Sequence, residues 1–265
     1  MQISAGVSEC HQEGGVNLLA EGDPEPVTIV NAASASNVVL ICEHAGNMLP
    51  KSVDGLGLAA EVMSSHIALD IGVAPIARRL ADLLDAPLVL QNYSRLVYDC
   101  NRDHTSPDAI PTESDGVPVP GNTNLTDIEK AMRHRAVFKP YAEAIEAVFK
   151  ACPRRISFSI HSFTRTYQDT VRPWHAGILY RQDFLTARIL LETLRQRLPE
   201  AEIAYNRPYH VTRKHDWFVT RFAEPRRLRH GIFEICNAMI REQPDQDRWS
   251  NHLLAAIRNV LQTLD

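Results

Sequence analysis

The apolar run Val38-Val-Leu-Ile-Cys42 is mostly β-branched and short, the pattern of a strand buried on both faces. It ends at once in Glu43, His44, Ala45, Gly46 and Asn47. An acid and an imidazole add nothing to a buried strand, but in open α/β sheets ligands sit beyond the carboxyl ends of the strands. His44 therefore stands either at a site or as a cap in a tight Gly-Asn turn.

The same reading extends along the chain. Val27-Thr-Ile-Val30 is a short edge strand. A helix is expected over about 66–85, with Leu69, Val73, Ile76, Leu80 and Leu83 on one side and Pro75 near its first turn. Pro87-Leu-Val-Leu-Gln91 is a second buried strand, leading into the polar stretch Tyr93-Ser-Arg-Leu-Val-Tyr-Asp-Cys-Asn-Arg-Asp103. Residues 104–126 form a long Pro/Gly/Ser/Thr/Asp loop, of the kind that serves as a lid or substrate loop. A helix follows over about 127–150, carrying Ile128, Met132, Tyr141, Ile145 and Phe149 on one face. Arg155-Ile-Ser-Phe-Ser-Ile-His161 alternates polar and apolar residues and again ends in a histidine. Strands at 176–180, 202–205 and 231–236 and helices at 183–197 and 245–264 complete the pattern, the last helix burying Trp249, Leu253, Ile257, Val260 and Leu264. Alternating strands and helices predict an α/β fold, a mixed and mainly parallel sheet with helices on both faces, as one domain over residues 1–265. Residues 1–25, polar and Gly-rich, read as a loosely held leader.

Composition narrows the function without naming it. At 265 residues and a formal net charge of -4, the chain offers no electrostatic case for nucleic acid or an anionic membrane. The basic cluster Arg226-Arg-Leu-Arg-His230 is short enough to be a solvated helix end. No apolar run reaches the roughly 18 residues of a membrane span, and no basic segment precedes an apolar one at the start. The five cysteines are scattered without a C-x-x-C pair, which argues against a disulfide framework or zinc knot and for a reduced, cytoplasmic setting.

Two strand ends carrying histidine, His44 and His161, come together if their strands are neighbours. A catalytic zinc takes three protein ligands, commonly two His and one carboxylate. Asp70, read as lying in the first turn of the helix after the His44 strand, suits the third position; Glu43 competes, although alternation along a strand counts against it. Glu234 sits inside the apolar run Gly-Ile-Phe-Glu-Ile-Cys236, where a carboxylate is costly unless paired or useful. It is either half of an arginine salt bridge or a general base acting on the attacking water. Arg102 can grip a substrate carboxylate, Asn101 can orient it and Arg95 can polarise the scissile carbonyl. Asp216, beside Trp217-Phe218, is a further candidate. His66, His104, His175, His210 and His215 read as loop or helix-surface histidines, with a supporting or substrate-contacting role as the alternative.

Cys42-Glu-His-Ala-Gly-Asn47, Tyr93-Ser-Arg-Leu-Val-Tyr-Asp-Cys-Asn-Arg102, Ser159-Ile-His-Ser-Phe163 and Phe233-Glu-Ile-Cys-Asn237 resemble, in order, the motifs of the N-formylglutamate amidohydrolase family. The resemblance covers nearly everything from about residue 38 to 261. That family is similar to zinc carboxypeptidase-like and aspartoacylase-like hydrolases, which implies a phosphorylase/hydrolase-like three-layer sandwich and one Zn2+, or another divalent metal, per chain. It implies that His44 and His161 are metal histidines, Glu234 the general base, and Asn101-Arg102 the holder of a substrate carboxylate. The wider group has a ligand glutamate in a His-x-x-Glu arrangement; here Asn47 stands in that position, and Asn is a poor zinc ligand, so Asp70 is favoured.

The implied reaction is cleavage of the amide of an N-acyl amino acid, N-formyl-L-glutamate going to L-glutamate and formate, a step of histidine catabolism. Three rivals stand beside it. One is the same chemistry on another N-acyl amino acid or small peptide, chosen by the 104–126 loop. Another is a cysteine hydrolase using Cys42 or Cys236. The third is a binding protein that keeps the fold without turnover.

Overall fold

A computed structural model of the protein describes residues 17–264. In chain order it contains β1 (Val27–Val30), β2 (Val38–Cys42), α1 (Val73–Leu84), β3 (Leu88–Gln91), β4 (Glu113–Ser114), β5 (Val117–Pro118), α2 (Asp127–Arg133), α3 (Lys139–Ala151), β6 (Ile156–Phe163), β7 (Thr166–Tyr167), β8 (Thr170–Val171), β9 (Ala176–Leu179), α4 (Phe184–Arg197), β10 (Ile203–Tyr205), β11 (Arg229–Cys236) and α5 (Gln243–Leu264). Seven strands form one sheet in the order β1-β3-β2-β6-β11-β9-β10. The four central strands β3, β2, β6 and β11 run parallel, whereas β1 pairs antiparallel with β3 and β9 antiparallel with β11. The short ribbons β4–β5 and β7–β8 stand apart from this sheet.

Two-residue periodicity along the central strands divides the interior into two cores. Val38, Leu40 and Cys42 pack with Ile156, Phe158 and Ile160 against α1, α4 and α5. Val39 and Ile41 pack on the opposite face with Tyr141, Ile145 and Val148 of α3 and with Phe218 and Phe222. The architecture is the expected three-layer α/β sandwich. Leu40 and Ile41 are completely buried, so truncating either to alanine removes roughly 2–5 kcal/mol of stability.

Several local expectations are corrected. The first helix begins at Val73, not near residue 66, because residues 65–72 turn and Gly72 at its N-cap has a φ of 83°. Asp70 therefore lies in a turn before the helix. The helix expected over 127–150 is interrupted by a π-helical segment, His134–Phe138, whose wider winding rotates its two halves relative to each other. Tyr141 and Ile145 are buried, but Ile128 is 74% exposed. The strand read over 155–161 is covered on both faces, as the sandwich requires: Ser157, Ser159 and His161 are all buried. Residues 1–16 of the expected leader lie outside the described residues, and 17–25 are held in place. Leu18 is buried, Ser52 Oγ donates to the Leu18 carbonyl, and Tyr93 Oη donates to that of Pro24.

Candidate active site

The carboxyl ends of the central parallel strands open into a cavity of about 450 Å3. β2 ends at Cys42, so Glu43 and His44 lie in the turn beyond it. That turn is pressed against the segment after β3: Met48 N donates to the Asn92 carbonyl (3.2 Å) and Ser94 N to that of Met48 (2.9 Å). Gly46 permits this approach, since a Cβ there would sit 2.0 Å from the Asn92 carbonyl oxygen. In the parallel pair β6–β11, His161 lies directly opposite Glu234.

His44, Asp70 and His161 converge. Asp70 Oδ2 is 2.8 Å from His161 Nδ1 and 3.5 Å from His44 Nδ1. The other nitrogen of each ring faces a second carboxylate: His44 Nε2 lies 2.7 Å from Asp99 Oδ1, and His161 Nε2 lies 3.0 Å from Glu43 Oε2. Both imidazoles thus present Nδ1 inward, His44 held by its bond to Asp99 and His161 with the Glu43 carboxylate close behind it but not aligned as a hydrogen bond. Asp70 is itself anchored, accepting from the backbone N–H of Ser162 at 3.2 Å and donating its own N–H to the His44 carbonyl at 3.0 Å.

Burial opposes every charge in this cluster, and the cluster overrides it. Burial raises the Asp70 pKa, but the His44 charge and the His161 hydrogen bond hold it well below the usual carboxylate range. Burial also works against Asp99, yet Arg95, His44 and Arg102 keep it ionised. For His161, burial favours the neutral ring, while Glu43 and Asp70 raise its pKa well above the ordinary value.

The donor set suits a metal ion. Ligand atoms of His44, Asp70 and His161 all lie within 4.8 Å of one another, and His44 Nδ1 is buried without a hydrogen-bond partner. A buried acceptor left unpaired is costly, and two imidazoles plus a carboxylate, each imidazole backed by another carboxylate, is the arrangement that zinc chemistry uses.

The surrounding residues complete the cavity. Glu234 is buried, its Oε2 has no partner, and burial followed by the neighbouring Asp70 and Asp216 pushes its carboxyl up to about 8 despite His161 and Arg95. The arginine salt bridge that would have made it structural does not form among the described residues. Arg95 donates Nε and Nη2 to Asp99 Oδ2 (3.3 and 3.0 Å) and Nη1 to Asp70 Oδ1 (3.2 Å), leaving one N–H on each Nη. Arg102 lines the cavity with its nearest carboxylate, Asp99, at 3.9 Å. Asn101 donates Nδ2 to Asp216 Oδ1 (3.2 Å) and its backbone N–H to Asp99 Oδ1 (2.9 Å), so Asp216 orients Asn101.

Sequence reasoning misplaced some residues and missed others. Glu43 is not among the three converging groups; it follows the parity of Val39 and Ile41 and so shares the face of Ser159 and His161. It backs that histidine and does not line the cavity. Asn47 turns away and donates to the Met63 carbonyl at 2.7 Å. Cys42 and Cys236 do not line the cavity, and burial raises the Cys42 thiol well above its usual range, which leaves the cysteine-hydrolase rival without a nucleophile. His66, His210 and His215 do line it, while His104 and His175 lie elsewhere. Asp99 was missed, although its spacing from Arg95 and Arg102 was a signal for a salt-bridged turn. Tyr209, near Glu234 and bonded to Arg172 Nη1 at 3.0 Å, carried no such signal.

A family model of N-formylglutamate amidohydrolase matches residues 36–241. The structure is similar to that of a gene product from Agrobacterium tumefaciens, at 31% identity and a TM-score of 0.88, covering 94% of this chain and 100% of that one. It is also similar in fold to the N-formylglutamate amidohydrolase of Ralstonia eutropha, at 15% identity and a TM-score of 0.63, covering 90% of this chain and 98% of that one. None of the curated protein sequences matches the chain.

Proposed function

The chain belongs to the N-formylglutamate amidohydrolase family, and from that premise we propose that it hydrolyses an N-acyl amino acid, N-formyl-L-glutamate foremost, with a zinc ion held by His44, Asp70 and His161. The observation that carries this reading is the unpartnered, buried Nδ1 of His44, facing the carboxylate that also receives His161 Nδ1. A divalent cation held there supplies a Lewis acid beside the amide carbonyl.

The remaining work falls to the chain's own side chains. Glu234, which the charge of a cation held beside it would bring into its ionised form, takes the proton of the attacking water at its unpartnered carboxyl oxygen and later delivers it to the leaving amine. The two uncommitted N–H groups of Arg95 stabilise the oxyanion that develops as the carbonyl carbon becomes tetrahedral. Arg102, the least committed cation of the cavity, grips the substrate carboxylate, and Asn101, held by Asp216, fixes its orientation. Asp99 keeps the His44 imidazole in the tautomer that presents Nδ1 inward, and the Glu43 charge favours basicity in the His161 ring.

The decisive experiment is elemental analysis of the purified protein, paired with N-formyl-L-glutamate hydrolysis before and after chelation and zinc restoration. One zinc per chain, with activity lost and regained, supports the reading. Undiminished hydrolysis by metal-free protein overturns it. Metal without hydrolysis of this substrate moves the assignment to other acyl amino acids, tested with a panel of acyl lengths.

A further inference from the structure

A second cavity, of about 630 Å3, lies behind the 104–126 loop. It is a full-sized small-molecule site by volume. Consecutive residues of the loop wall both cavities: Asp108, Pro111 and Glu113 line the catalytic one, while Pro107, Ala109, Ile110 and Thr112 line the second.

Its chemistry is the opposite of the acid-rich catalytic cavity. No acidic residue lines it, whereas Lys130, His104 and His134 do, over an apolar surface that includes Ala109, Ile110 and Leu125. The acids nearest these groups are Asp127, 3.7 Å from Lys130, and Asp103, 3.8 Å from His104. Tyr98 also lines the cavity; it is 2% exposed and its hydroxyl has no hydrogen-bond partner. His134 is the first residue of the π-helical segment and stands 5.8 Å from the Tyr98 ring and 6.1 Å from that of His104. Such segments occur often at functional sites. An unpaired hydroxyl buried beneath the wall, two imidazole N–H donors (His134 held towards its neutral form by burial and by His104) and the Lys130 ammonium as the fixed cation make a donor set for a single carboxylate.

We propose that this second cavity binds a small organic monocarboxylate with an apolar body, its carboxylate directed to Lys130 and the two imidazoles and its apolar part resting on Ala109, Ile110 and Leu125. The site is independent of the amidohydrolase reading, and its test reads binding, not turnover.

Titration calorimetry of the purified protein with phenylacetate, and with benzyl alcohol as the uncharged control, tests the proposal. Saturable one-to-one binding with a Kd below about 1 mM is expected. It should persist in Arg102→Ala, which removes the carboxylate grip of the catalytic cavity. Lys130→Ala should weaken it about fivefold, the scale of a partly exposed ion pair, and Ala131→Trp, at an exposed position lining the cavity, should abolish it by filling the space. Should the tryptophan lower the melting temperature, Lys130→Ala decides, because that side chain is 55% exposed. No saturable binding, or binding lost in Arg102→Ala and intact in Ala131→Trp, overturns the proposal. Equal binding of benzyl alcohol overturns the carboxylate assignment.

Discussion

Glu43 Oε2 lies 3.0 Å from His161 Nε2, on the side of the ring remote from Asp70, and both side chains are almost completely buried. Ser159 Oγ donates to the other carboxylate oxygen at 3.3 Å. The pair is close without the alignment of a hydrogen bond, so the acid acts on the ring through its charge and raises its basicity. Glu43→Gln keeps the shape and loses the charge. Its expected effect is a 10- to 100-fold loss of zinc affinity, roughly the cost of removing such a partner, with secondary structure unchanged. A competitive chelator titration of the purified variant measures it; wild-type affinity would remove Glu43 from the site.

In the proposed reaction Glu234 trades stability for chemistry. Its folded carboxyl sits at about 8 against an ordinary 4.5, chiefly through burial, so the folded protein holds this proton more tightly than the unfolded chain. Stability is unaffected below about 4.5 and is progressively lost as pH rises towards 8. Metal-free Glu234→Gln should therefore be more stable than the metal-free wild type at pH 8, by on the order of a few kcal/mol, and the difference should vanish near pH 4.5. The same variant should lose about 100- to 10,000-fold in hydrolysis, the usual contribution of a general base. Thermal melts at both pH values, beside steady-state rates, separate the two effects. A variant less stable at pH 8, or one with wild-type turnover, contradicts the assignment.

What could be read from the chain, and what could not, follows from the range of the interactions. His44, His161 and Glu234 each interrupt or terminate an apolar run, so a local pattern exposes them. Asp70 was recognised as a carboxylate reaching the same rim, but its helix was started too early, because a turn rich in apolar residues mimics helical spacing. Asp99 acquires its role only when the segment after β3 packs against the turn after β2, a relationship between residues 55 positions apart. Ile128 was assigned inward because periodicity assumes one uniform winding, and the π segment breaks it. The contact between Asn101 and Asp216 spans 115 positions and leaves no mark on either local sequence.

Asp103 holds the start of the 104–126 loop. Its Oδ1 accepts from the hydroxyl and N–H of Thr105 at 2.6 and 3.0 Å, and its Oδ2 accepts from Arg221 at 2.6 and 2.9 Å. These bonds, the Thr105 hydroxyl foremost, lower its pKa to about 2 from an ordinary 3.8. The stabilisation is present above about 4 and is lost as pH falls towards 2. Asp103→Asn should cost about 1 kcal/mol at neutral pH, less than the shift alone implies because solvent screens its pair with the half-exposed Arg221, and flatten the acid limb of the stability curve between those values. Urea melts at pH 7 and pH 3 measure both; a wild-type acid limb in the variant would show that this carboxylate does not carry the dependence.

Gly46 links backbone packing to the site. A Cβ on this residue would lie 2.0, 2.5 and 2.8 Å from the carbonyl oxygen, carbonyl carbon and Cα of Asn92, all backbone atoms that no rotamer change can move aside. Relief requires separating the turn that carries His44 from the segment that leads to Arg95 and Asp99. That separation would strain the two backbone hydrogen bonds joining Met48 to Asn92 and Ser94. Gly46→Ala is therefore expected to cost at least the ~1–3 kcal/mol of ordinary overpacking and to weaken zinc binding as well, because His44 Nε2 depends on Asp99 across that junction. Asn47→Ala, one residue on, is the control: its amide faces the Met63 carbonyl, so it should lose only about 1 kcal/mol of hydrogen bonding and keep wild-type zinc affinity. Melting temperatures and chelator titrations of the two variants distinguish a packed junction from a tolerant loop. Equal behaviour of the two substitutions would mean that the glycine does not hold the site together, and loss of zinc in Asn47→Ala alone would return Asn47 to the ligand set.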